Sequence, residues 1–241
     1  MSNPAISFTN ITKTFRISSG KKTALDDVSL TIEQGSCTII AGENGSGKSV
    51  LMSIAAGLMD CDSGKVECDS KLGLVFQEAE TQILGETPAE DIAFGPVNLG
   101  WKKEQVTQAV EEALQKTGLT EKKDYPARFL SGGEKRRLAV ACMLAMNFST
   151  IILDEPYANL DLGGVRQVNA LVQDLKKEGK TVIILTHEIE KCLGLADKFA
   201  VLFQGRLVFD GAPADALKQK LEQWNIRNPL VHYDSVKDLV W

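Results

Sequence analysis

Nowhere in the 241 residues is there an apolar run long enough to cross a bilayer. A spanning helix needs about 20 consecutive apolar residues, and the longest stretch here, "LAVACMLAM" from Leu138, is about half that. No signal-peptide pattern precedes the first strand-like segment, "AISFTN". The expectation is a chain that works beside a membrane, if it serves one at all. A basic excess is also missing. Thirty-two acids against 27 Lys and Arg leave a formal charge of −5, so the chain is a poor candidate for gripping nucleic acid, and none is expected as a partner. Paired cysteines are missing too: five is an odd number. Their scatter through apolar and loop contexts predicts buried thiols in a reducing cytosol, and the spacing of Cys61 and Cys68 fits no usual zinc pair. Internal repeats and low-complexity linkers are absent, which predicts a single domain over residues 1–241.

What is present alternates. The apolar, β-branched runs "VSLTIE", "SCTIIA", "LGLVF", "TIILDE", "TVIILT" and "FAVLF" recur along the chain. They are apolar nearly throughout, as strands covered on both faces are. Helical patterns lie between them. "KSVLMSIAAGL" is one. "KKEQVTQAVEEALQKTGL" places Val106, Val110 and Leu114 at four-residue intervals and stops near Gly118, a suitable C′ glycine. "SGGEKRRLAVACMLAM" starts at Ser131 and "DLGGVRQVNALVQDLKKEG" at Asp161, both good N-caps. The fold class is therefore α/β with a largely parallel sheet. Residues of about 78–146 show helices and loops without a strand, which predicts a helical lobe inserted in the core. Residues of about 222–241, with Trp224, Tyr233 and Trp241, read as a short appendage.

The segment "AGENGSGKSV" gives the first chemistry. Gly42-x-x-x-x-Gly47-Lys48-Ser49 has P-loop spacing. Its glycines, including Gly45, let backbone N–H groups turn onto a phosphate without side chains in the way. Asn44 and Ser46 complete the loop, and the next helix points its N-terminus at the same anion. Lys48 reaches the β- and γ-phosphates, and the Ser49 hydroxyl suits Mg²⁺. "STIILDEP" adds a strand that ends in two acids. Asp154 can hold Mg²⁺ through its water shell, and Glu155 can act as general base on the attacking water.

The third motif, "LSGGEKRR", opens a helix with Ser131, Gly132, Gly133 and Glu134. It resembles the signature of ATP-binding-cassette (ABC) ATPases, and the other parts of such a cassette follow in order over residues 4–215. Phe15 falls where the family stacks an aromatic on adenine. Gln77 in "LVFQE" matches the glutamine that joins the Mg²⁺ site to the helical lobe. "ANLD" matches the loop that carries Asp161, and His187 in "ILTHE" the switch histidine. Val50 departs from the pattern, where Thr is usual, and the missing hydroxyl implies weaker nucleotide binding at most. The resemblance implies a P-loop NTPase of the ABC-ATPase fold with an N-terminal antiparallel β subdomain and an inserted helical subdomain. It implies ATP and Mg²⁺ as cofactors. It also implies a second ABC ATPase subunit as partner, with each ATP held between one chain's P-loop and the other's Ser131, Gly132, Gly133 and Glu134.

The run "VFQEAETQILGETPAEDIAFGPVNLG" is similar to the energy-coupling-factor branch, the ATPases of cobalt, nickel and vitamin importers. The shared residues are Phe76-Gln77, Gln82, Asp91, Phe94-Gly95-Pro96 and Asn98-Leu99-Gly100. Between Glu78 and Trp101 lie five acids and no Lys or Arg. This predicts an acidic groove, with Glu86, Glu90 and Asp91, for a basic helix of an integral membrane coupling subunit. A substrate-binding membrane component and a peripheral place on the cytoplasmic face follow from the same resemblance. Conventional importer ATPases and soluble cassette ATPases of the iron–sulfur assembly kind remain alternatives.

Overall fold

The computed structural model describes residues 4–18, 20–232 and 234–235. Tyr233 and Trp241 lie outside the described residues. Two long strands open the chain, β1 (Pro4–Ile17) and β2 (Gly20–Glu33). They pair antiparallel, and β4 (Ser63–Cys68) joins the other edge of β1.

The second sheet has six strands. β3 (Cys37–Ala41), β5 (Leu72–Val75), β6 (Thr150–Asp154), β7 (Thr181–Thr186) and β8 (Lys198–Phe203) run parallel, and β9 (Arg206–Gly211) returns antiparallel. Their spatial order is β5-β6-β7-β3-β8-β9. The β8–β9 turn is Gln204-Gly205, both at positive φ (50° and 80°), the primed geometry that suits a two-residue hairpin.

Continuous apolar runs form these strands because both faces are covered, and successive residues serve different cores. Ile39, Leu153, Ile184 and Val201 pack on the face that also buries Val165, Val168, Val172 and Leu175 of α5 (Leu162–Lys177). Ile40, Ile152, Ile183 and Leu202 pack on the other, with the antiparallel sheet and Leu51 and Met52 of α1 (Lys48–Ala55). That alternation is the two-residue period of a strand.

From Glu78 to Met146 the described structure is helical or irregular. α2 (Pro88–Asn98), α3 (Lys103–Thr117) and α4 (Gly132–Ala145) carry it. They share their own core of Ile92, Val110, Leu114, Leu138 and Ala141. Gly118 ends α3 in the left-handed region, φ 66°. Ser131 and Asp161 cap α4 and α5 through their side chains.

Two expectations need correction. The helix after the P-loop stops at Ala55, not near Leu58, because the chain turns through Gly57 at φ 69°. Only Cys37 and Cys192 of the five free thiols are buried. After the short helix α6 (Pro213–Ala216), Leu221 enters the main core, and within the appendage Ile226 does so too while Trp224 lies against Phe209.

Candidate functional site

The sheet order places the candidate residues. β5, β6, β7 and β3 are neighbours, and the carboxyl end of each releases one of them: Gln77, Asp154-Glu155, His187 and the Gly42–Ser49 loop. Ligand sites of open parallel sheets gather at that edge.

Two glycines of the loop are fixed by close approach. Gly42 has φ 153°, and a Cβ there would meet the Leu202 carbonyl at 2.2 Å; at Gly47, φ 107°, it would meet the Ala24 carbonyl at 2.6 Å. Any side chain would force the loop off the sheet. Lys48 is 5% exposed and folds back on the loop, donating to the carbonyls of Gly42 at 2.6 Å and Glu43 at 3.1 Å. Its Nζ lies 3.5 Å from Glu155 Oε1. Burial lowers the Lys48 pKa, against the pull of Glu155, Asp154 and Glu43.

Glu155 adopts φ 45°, a strained conformation for a residue with a side chain. Its N–H donates to the Leu185 carbonyl at 2.9 Å, which anchors the turn to β7. Its carboxylate is buried, with Oε2 3.1 Å from His187 Nδ1. Asp154 is buried next to it. Burial raises the Asp154 pKa, with Glu155 pushing the same way, while the Ser49 hydroxyl and Lys48 counter it. Asp154 Oδ1 and Glu155 Oε1 are buried and make no hydrogen bond. Glu155 Oε1 still faces the Lys48 ammonium, but Asp154 Oδ1 has no such partner; a buried carboxylate oxygen left open next to a hydroxyl suits a hard, oxygen-seeking cation. The residues present therefore fit Mg²⁺, with Ser49 and Asp154 as its holders and Gln77 facing the same cleft.

That cleft has a volume of about 320 Å³. Phe15, Asn44, Gly45, Gly47, Lys48, Ser49, Val50, Gln77 and Glu155 line it. Phe15 is half-buried, with Lys13 Nζ 5.7 Å from its ring centre. Ser46 is buried behind the loop.

The signature residues are not brought into this cleft. Gly132 lines a separate cavity of about 310 Å³ with Gln77, Arg136 and Asn159. A Cβ on Gly132 would meet only open space, so nothing in the chain's own packing demands glycine there. Ser131 and Glu134 form a reciprocal capping box: the Ser131 N–H donates to Glu134 at 2.8 Å, and the Glu134 N–H to Ser131 Oγ at 3.3 Å. Lys122 pairs with Glu134 at 2.6 Å. Asp161 is exposed, and its carboxylate accepts from the Gly164 N–H at 2.7 Å.

The acidic groove needs correction. Asp91 is 4% exposed, so it is not a docking charge. Its Oδ1 accepts from the N–H groups of Leu84 and Gly85 at 2.7 and 2.8 Å, and the Cys142 thiol donates to Oδ2 at 3.3 Å. Glu80 pairs with Lys135 at 2.6 Å, and Arg128 lines a cleft with Glu86. Sequence reading missed these basic residues because they arrive from 40 or more positions away. It also missed Arg136, whose guanidinium donates to three loop carbonyls. Gln82, seen only as part of a pattern, clamps the end of β5 by accepting from the Phe76 N–H and donating to the Leu74 carbonyl.

Fold and cleft together define a P-loop nucleotide-binding protein. The family model for ABC transporters matches residues 25–158. The chain is 38% identical over 243 residues to the energy-coupling factor transporter ATP-binding protein EcfA of Carboxydothermus hydrogenoformans, covering 95% of this chain and 89% of that protein. It is 38% identical over 225 residues to the cobalt import ATP-binding protein CbiO of Rhodobacter capsulatus, with 86% and 80% covered. The solved structure of cbiO1 from Clostridium perfringens, part of the ABC transporter complex cbiONQ, superposes with a TM-score of 0.81 at 31% identity, covering 95% of this chain and 97% of that one. The chain belongs to the ABC transporter ATP-binding family and is an ATPase.

Proposed function

We propose that the chain is the ATP-hydrolysing subunit of an energy-coupling-factor importer, driving uptake of a vitamin or a transition-metal ion through a membrane partner. The observation that carries this branch is the match to EcfA over nearly the whole of both chains. Among the described residues no helix is long and apolar enough to cross a membrane, so an importer would need a separate integral subunit.

In this reading two chains clamp ATP between them. That none of Ser131, Gly132, Gly133 and Glu134 lines the P-loop cleft of its own chain supports it, because in the clamp they serve a phosphate held by the second chain. Phe15 stacks on the base. The loop N–H groups and Lys48 hold the phosphates, and Lys48 exchanges the Gly42 and Glu43 carbonyls for them as ATP enters. Ser49, Asp154 and Gln77 would hold Mg²⁺, which would supply neutralisation of the phosphate charge. Glu155 takes the proton of the attacking water. His187, beside it, orients that water and the γ-phosphate, and Asp161 links the two sites across the dimer. The strained turn at Glu155 fits a general base that must point one way.

The membrane partner docks on the 78–101 segment. Leu84 (66% exposed), Phe94, Val97 and Leu99 offer apolar surface there, and Glu86 and Glu90 offer charge. Co-purification from detergent-solubilised membranes tests the branch. The expected companion is an integral subunit with a bound vitamin or metal. A chain recovered wholly in the soluble fraction, with no integral companion, would sink this reading.

A further inference from the structure

Arg136 lies in the second turn of α4, five residues after Ser131, and is 7% exposed. Its guanidinium donates to main-chain carbonyls. One terminal nitrogen donates to Pro156 at 2.8 Å and Ala158 at 3.3 Å, and the other to Gln77 at 3.1 Å. Its Nε is buried and makes no hydrogen bond. A buried cation held by carbonyls alone is costly unless the acceptors stay fixed.

Those acceptors come from segments far apart in sequence. Gln77 lines the P-loop cleft. Pro156 directly follows Glu155. Ala158 opens the loop that ends at Asp161. A planar fork can reach three carbonyls at once, which a lysine ammonium on its flexible stem cannot match. The helix that presents Ser131, Gly132 and Gly133 is thus bolted to the backbone of Gln77 and of the segment behind the general base.

We propose that Arg136 is a positioning residue. It ties the signature helix to Gln77 and to residues 156–158, and so holds the phosphate-binding end offered to a partner chain in register with the chain's own hydrolytic machinery. This rests on the two-chain ATP clamp proposed above. Its consequence is a split between binding and turnover. ATP affinity of the isolated chain stays, because the P-loop does not touch Arg136. Turnover falls, because the two halves of the composite site lose register.

The test compares Arg136→Met, of similar length without charge, and Arg136→Lys with the wild-type chain. Circular dichroism reports folding, titration with a fluorescent ATP analogue reports binding, phosphate release reports kcat, and amide hydrogen exchange is read at residues 76–80 and 156–161. The expected result for Arg136→Met is an ATP affinity within threefold of wild type, kcat lower by at least tenfold, and exchange at both segments faster by at least tenfold. Arg136→Lys should fall between. A folded Arg136→Met that keeps kcat within twofold, or leaves both exchange rates unchanged, overturns the proposal. If Arg136→Met does not fold, the same comparison is made on Arg136→Lys: full wild-type kcat and exchange overturn the proposal, and partial loss of both supports it. A wild-type chain that hydrolyses no ATP would refute the proposed function instead, and exchange alone would then decide whether Arg136 ties these segments.

Discussion

Replacing Asp91 with alanine removes two short, charge-assisted hydrogen bonds, from the N–H groups of Leu84 and Gly85 at 2.7 and 2.8 Å. Hydrogen bonds to a charged group contribute about 1.5–3 kcal/mol each. Water can reach part of the vacated space, because both donors are only part-buried. Taking the lower end for each bond gives about 3 kcal/mol, and taking some loss of packing around α2 gives about 4. At about 2–4 °C per kcal/mol for a chain of this size, the melting temperature should drop by about 6–16 °C. Asparagine keeps an oxygen on the same two donors without the charge, so Asp91→Asn should lose about half as much. Differential scanning calorimetry of the three proteins reads these values. The structure also places the damage: amide exchange should quicken first at Leu84 and Gly85. An Asp91→Ala protein that melts within 2 °C of wild type would refute this reasoning, since the carboxylate would then be solvated, as an acidic docking groove requires (roughly one surface charge's worth of effect).

Other outcomes follow from the same geometry. Glu155→Gln should lower ATP turnover by about 10²–10⁴, the range for removal of a positioned general base, while nucleotide binding persists; unchanged phosphate release would remove Glu155 from that role. Asp154→Asn separates function from stability. The folded pKa of Asp154 lies above its unfolded value, so the folded state holds the proton more tightly. Stability from this group is therefore greatest at low pH and declines as pH rises from the unfolded pKa through the folded one. At neutral pH without Mg²⁺, Asp154→Asn should melt at or above the wild-type temperature yet lose Mg²⁺-dependent turnover; a clear loss of stability would contradict the sign. Phe15→Ala should weaken ATP binding about tenfold, in keeping with about 1–1.5 kcal/mol for one aromatic stacking contact, and equal affinities by titration would show that Phe15 only packs.

Local chemistry made much of the site legible in the sequence. The glycine spacing, the acids after "TIIL" and the histidine after "VIILT" each sit at a strand end, and a parallel sheet brings strand ends together without further instruction. The strands read clearly because burial on both faces leaves them apolar throughout, as in β3 and β7. The edge strands β4 and β9 did not, because their residues alternate or stay exposed. The 78–101 segment was misjudged for a related reason. A run of acids looks like a surface until its partners are known. Here the donors to Asp91 are backbone N–H groups that carry no sequence mark, and the cation on Glu80 comes from residue 135. Arg136 was hidden in the same way, since three carbonyls are its partners and any residue supplies a carbonyl.

In the proposed clamp one chain's P-loop and another chain's Ser131–Gly133 act on the same ATP. Phosphate release per chain, measured across a dilution series that takes the purified protein from dimer to monomer by light scattering, tests it most directly. Specific activity should fall with dilution, and Glu155→Gln with ATP should restore dimer mass at concentrations where wild type is monomeric. A specific activity that stays constant through the monomer range would contradict it.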